Sequence, residues 1–111
     1  MNAAELITAF LERVADDPSM GPSHIALYVA IAVTVERQVA GGAVTIRRRV
    51  VMRQAKLRCE MTYHKCMRDL QAAGYLRYIP SYDPRVGTQV ILLGDREKVE
   101  SEWRGDYIRR R

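Results

Sequence analysis

Between Glu60 and Ile79 the sequence EMTYHKCMRDLQAAGYLRYI changes its period in the middle. Tyr63, Cys66, Met67 and Leu70 recur at the three- and four-residue spacing that gathers side chains on one side of a helix. After Gly74 the pattern alternates, with Tyr75 and Tyr78 interleaved with Leu76 and Ile79, as in a strand. Gly74 stands where a helix can end in a left-handed residue, a conformation cheap only for glycine. The spacing therefore predicts a helix over Glu60–Ala73 that turns directly into a strand over Tyr75–Ile79. A second strand is expected over Thr88–Leu93. The two prolines, Asp83 and Gly87 of PSYDPRVG make the connection a long hairpin loop.

Upstream, NAAELITAFLERVA places Leu6, Ile7, Phe10, Leu11 and Val14 at helical spacing, and DDPSMGPS breaks that helix. A second helix is expected from Pro22 or Ser23, where proline suits the first turn and serine can cap. It is apolar nearly all round to Val35, which marks it as the central core helix, and AGG at 40–42 ends it. AVTI is a short β-prone segment, RRRVVMRQA from Arg47 a third helix, and KLRCE the turn into the fourth. The tail from Asp95 can begin as a helix, with Val99 and Trp103 packing back. The expected class is α+β, mainly helical.

With 111 residues, 48% hydrophobic and 28% charged, the chain suits one folded domain. Its parts are a helix within residues 1–18, a core over 22–93 and a helix or tail over 95–111. The net charge of +5 is unevenly spread: from Gly41 to Arg68 eight basic residues face one acid, Glu60, and the remainder is slightly acidic. A local positive field of this kind favours a nucleic-acid partner. MNAAELITAF carries no basic n-region, and the apolar run IALYVAIAV is too short to span a bilayer, so no membrane partner and a cytoplasmic location are expected.

Cys59 and Cys66 lie about 10 Å apart on a helix, too far for a disulfide. Cys59, His64 and Cys66 lack the spacing of a structural zinc site, and buried or half-buried free thiols are expected instead. No nucleophile–base pair, convergent acids or phosphate loop suggests an enzyme or a cofactor. Asp16 and Asp17 precede a proline as turn residues, and His24 lies near a helix start.

The order helix, helix, short strand, helix, turn, helix, strand, loop, strand resembles the winged helix-turn-helix family over about Ser23–Leu93. The residues carrying the resemblance are GPSHIALY at the start of the core helix, the strand at Val44–Ile46, the helix pair within Arg48–Ala73, and GYL leading into the wing. More narrowly, TYHKCMRDLQAAGYLRY with PSYDP is similar to small bacterial winged-helix proteins described as transcriptional regulators, some associated with mobile elements. The resemblance implies double-stranded DNA binding, with the fourth helix in the major groove and a base at the wing tip, here Arg85, at the minor groove or its phosphates.

On the residues alone, Met61, Lys65, Arg68 and Ala72 fall opposite the apolar side of the fourth helix, giving a narrow basic stripe. In a helix-turn-helix, Glu60, Met61, Thr62 and His64 would stand at or near base edges, and Lys65 and Arg68 would meet bases or phosphates. Arg47, Arg48, Arg49, Arg53, Lys56 and Arg58 add charge where flanking phosphates would lie. Cys59, a poor helix cap, stands where Ser, Thr, Asn or Asp is preferred.

Leu6, Phe10, Val14 and Trp103 are candidate anchors for a homodimer and equally candidates for the monomer's own core. Two further readings are a replication or mobile-element accessory protein with the same DNA-binding fold, and a winged-helix module whose basic face meets an acidic protein.

Overall fold

In the computed structural model residues 2–37, 44–79 and 87–93 are described. Helix α1 (Ala3–Val14) starts on Asn2, whose extended backbone and side-chain carbonyl suit a cap: Oδ1 accepts the Glu5 N–H at 2.9 Å. Its apolar stripe of Leu6, Phe10 and Val14 is buried. In the following turn Asp17 accepts from the Ser19 N–H and hydroxyl, the turn chemistry expected of an aspartate before proline.

Helix α2 (Pro22–Arg37) begins on Pro22, so Ser23 lies inside the first turn and does not cap it. His24 closes that end instead: its Nδ1 accepts the Gly21 N–H at 3.0 Å, as the glutamate of a capping box would. Leu27, Tyr28, Ile31 and Ala32 are fully buried, which makes α2 the central helix. Its expected end at 40–42 lies outside the described residues.

Strand β1 (Val44–Ile46) leads into α3 (Arg48–Ala55), α4 (Glu60–Ala72), β2 (Leu76–Ile79) and β3 (Thr88–Leu92). The sheet order is β1-β3-β2, antiparallel throughout, with Val90 opposite both Val44 and Tyr78. The described chain is thus α+β, mainly helical. Among the described residues no helix is long and apolar enough to cross a membrane. The tail helix expected from Asp95 and the loop carrying Arg85 lie outside the described residues.

Both helices of the α3–α4 pair end in the same way. At Gly74, φ 83°, the Tyr75 N–H reaches the Leu70 carbonyl and the Gly74 N–H the Gln71 carbonyl, each at 3.0 Å, and the chain leaves as β2. At the end of α3 the residue in the left-handed conformation is Lys56, φ 63°, with Leu57 N–H bonded to Met52 and Lys56 N–H to Arg53. A lysine there carries a steric cost that a glycine would not.

The core lies where α1, α2, α3 and α4 meet the inner face of the sheet. Phe10 stacks on Tyr28 at 3.8 Å between centroids and meets Tyr75 edge-on at 5.1 Å. Arg13 lies over the Tyr75 ring, and the Tyr75 hydroxyl donates to Asp17 at 2.8 Å. These contacts favour one of the two roles expected of the apolar side of α1. Leu6, Phe10 and Val14 are buried within the chain and are not available as dimer anchors; Trp103 lies outside the described residues.

Candidate nucleic-acid interface

Helix α4 has two distinct sides. Tyr63, Cys66, Met67 and Leu70 face the core, each 2% exposed or less. Burial pushes the Tyr63 phenol up to about 12. On the far side Met61, His64, Lys65, Arg68 and Ala72 are exposed and Thr62 is half-buried. Met61 stands out at 80% exposure. Arg47, Arg48, Arg49, Arg53, Lys56 and Arg58 are all exposed along α3 and the turn that precedes α4.

Three contacts hold this side in place. The His24 Nε2 is 2.8 Å from Asp69 Oδ2, linking the start of the central helix to the last turn of α4. The same oxygen accepts from Lys65 Nζ at 3.3 Å, which sets the lysine along the outer stripe. Gln71 Oε1 accepts the Tyr78 N–H at 2.6 Å, tying the outer edge of β2 to α4. Beside the Gln71–Tyr78 contact opens a concavity of about 650 Å³, whose lining includes Met61, His64, Lys65, Met67, Arg68 and Tyr78. It is an apolar hollow with a cationic edge.

Glu60 does not stand alone at the helix start. Its carboxylate is 3.2 Å from the Arg48 guanidinium, so a residue expected near base edges and one expected near phosphates are joined across the turn. The negative end of that pair lies in the first turn of α4, where the helix dipole favours it. Cys59 makes no side-chain cap bond. Its thiol is exposed and held below the usual thiol range, chiefly by the Thr62 N–H and then the Met61 N–H. Cys66 is buried and burial pushes its thiol up. The expectation of buried or half-buried thiols therefore holds for Cys66 and is corrected for Cys59.

Asp69 and its partner His24, 45 positions apart, were not legible as a pair; a histidine three positions past Gly21 was the one available signal. Among the described residues no group of His, Cys, Asp and Glu is arranged to hold a metal ion. Comparison with protein-family models, curated proteins and solved structures found no match for this chain.

Proposed function

We propose that this protein is a winged helix-turn-helix domain that binds double-stranded DNA, with α4 in the major groove, and acts as a transcriptional regulator. One observation carries the reading: the exposed side of α4 bears Met61, Lys65 and Arg68 in a stripe, and the exposed cations of α3 and the turn flank it on the same stretch of chain. A helix presented in this way, backed by a core on its other side, offers base-reading and phosphate-gripping groups together. The antiparallel order β1-β3-β2, with β2 leaving directly from α4, supports the winged form of the fold. In this reading Arg85, in the β2–β3 connection, grips the neighbouring minor groove or its phosphates.

Fluorescence anisotropy with a labelled duplex of random sequence at several salt concentrations tests the proposal. Binding is expected to weaken steeply with salt, and Lys65→Ala/Arg68→Ala to reduce both affinity and the salt slope. No binding at low salt would overturn it and direct attention to acidic protein partners. A preference between duplex sequences separates a regulator from a protein-interaction module, which has no reason to discriminate bases.

A further inference from the structure

Among the described residues Met61 is the most exposed large hydrophobic side chain, and it sits in the first turn of α4. An exposed methionine on a scattered surface needs no explanation. This one has cations near it in the chain: Lys65 and Arg68 follow it on the same stripe, and Arg58 lies three residues before it. Cations select an anionic partner, so an apolar group on the same stripe asks which apolar feature such a partner would present.

In the major groove of DNA the base edges offer hydrogen-bond donors and acceptors at every pair and one apolar group, the 5-methyl of thymine. A thioether chain is long, unbranched and polarisable, and adapts to a small methyl surface. Met61, Lys65 and Arg68 stand at i, i+4 and i+7 on one stripe, close to the spacing at which a helix laid in the groove meets about three successive bases. Arg68 makes no hydrogen bond or ion pair among the described residues, so its guanidinium is available to the two acceptors of a guanine. Lys65, in contrast, is already shared with Asp69. The apolar reader and the uncommitted arginine thus mark the two ends of the stripe.

We propose that Met61 is a specificity-determining residue that docks on the 5-methyl group of a thymine, within about three base pairs of a guanine held by Arg68. This rests on the DNA-binding reading and deepens it by naming the bases.

The test begins with selection of tight-binding duplexes from a randomised pool by the wild-type protein. In the selected duplex each thymine is replaced in turn by deoxyuridine, which removes only the methyl group, and each guanine by 7-deazaguanine, which removes one acceptor. One thymine position is expected to lose about fourfold in affinity on replacement, the worth of one buried methyl group. Met61→Ala should bind the unmodified duplex more weakly and be indifferent to that replacement. Arg68→Ala should be indifferent to 7-deazaguanine at the paired position. A selected site without thymine, or a methyl effect that persists in Met61→Ala, overturns the proposal while DNA binding stands. Failure to enrich any duplex, with no salt-dependent binding to the random duplex, overturns the DNA reading itself. Because Met61 is exposed, its loss leaves the core intact and the comparison clean.

Discussion

The His24 Nε2 lies 2.8 Å from Asp69 Oδ2, and the two residues join the start of α2 to the outer half of α4. The Gly21 N–H donates to Nδ1 of the same ring at 3.0 Å. A backbone N–H has nothing with which to accept, so Nδ1 is the acceptor of that bond and Nε2 donates to the Asp69 carboxylate. The buried imidazole is therefore a strut with both nitrogens satisfied. His24→Ala is expected to lower unfolding free energy by about 1–3 kcal/mol through those two bonds, read from urea denaturation.

Asp69 makes this contact pH-dependent. Its carboxyl is held below the usual range, first by the hydrogen bond from His24 and further by Lys65. A depressed folded-state pKa stabilises fully above the unfolded value of about 3.9 and is lost as pH falls through the lower folded value. The wild-type urea midpoint should accordingly fall more steeply than that of Asp69→Asn below about pH 4. Parallel curves would mean that the carboxylate contributes nothing to stability.

Phe10 and Tyr28 stack at the centre of the molecule, with Phe10 2% exposed and Tyr28 fully buried. Phe10→Ala should cost about 3–5 kcal/mol, the usual cost of emptying an aromatic core site. The Tyr28 hydroxyl, among the described residues, is buried without a hydrogen-bond partner. Tyr28→Phe is expected to be neutral or to stabilise by about 1 kcal/mol, since it removes an unsatisfied polar group and keeps the ring. A large loss would reveal a partner for that hydroxyl.

Lys56 occupies the left-handed end of α3 at φ 63°. Lys56→Gly should raise stability by about 1 kcal/mol by relieving the Cβ contact, while duplex binding falls through the lost cation. Opposite signs in the two measurements would separate backbone strain from charge at one position.

The two thiols should differ sharply in reactivity. Cys59 is exposed with its pKa lowered, whereas Cys66 is buried with its pKa raised. One equivalent of an aromatic disulfide reagent is expected to react quickly at neutral pH, and the second only on unfolding. Cys59→Ser should abolish the fast phase, and survival of that phase would assign it to Cys66.

Glu60 and Arg48 are both partly exposed, and their ion pair at 3.2 Å is weak in water. Glu60→Gln releases Arg48 and removes the one acid from the basic stretch, so duplex affinity at low salt should rise severalfold. A fall in affinity would show that the carboxylate itself contacts DNA.

Much of the fold was legible because its signals are local. The stripe of Tyr63, Cys66, Met67 and Leu70, the break at Gly74 and the alternation beyond it define α4 and β2 within a residue of where they lie. The outer stripe of Met61, Lys65, Arg68 and Ala72 followed from the same period, since a helix that buries one side must expose the other. What periodicity cannot carry is the identity of a distant partner. The apolar side of α1 could have met another chain or its own, and only the packing of Phe10 between Tyr28 and Tyr75 decided for the latter. The pairing of His24 with Asp69, the joining of Arg48 to Glu60 and the left-handed turn at Lys56 likewise depend on how the helices dock. Apolar spacing along the chain determined the elements and the faces they bury; the contacts between elements, set by packing in three dimensions, decided which polar groups hold the exposed side of α4 in place.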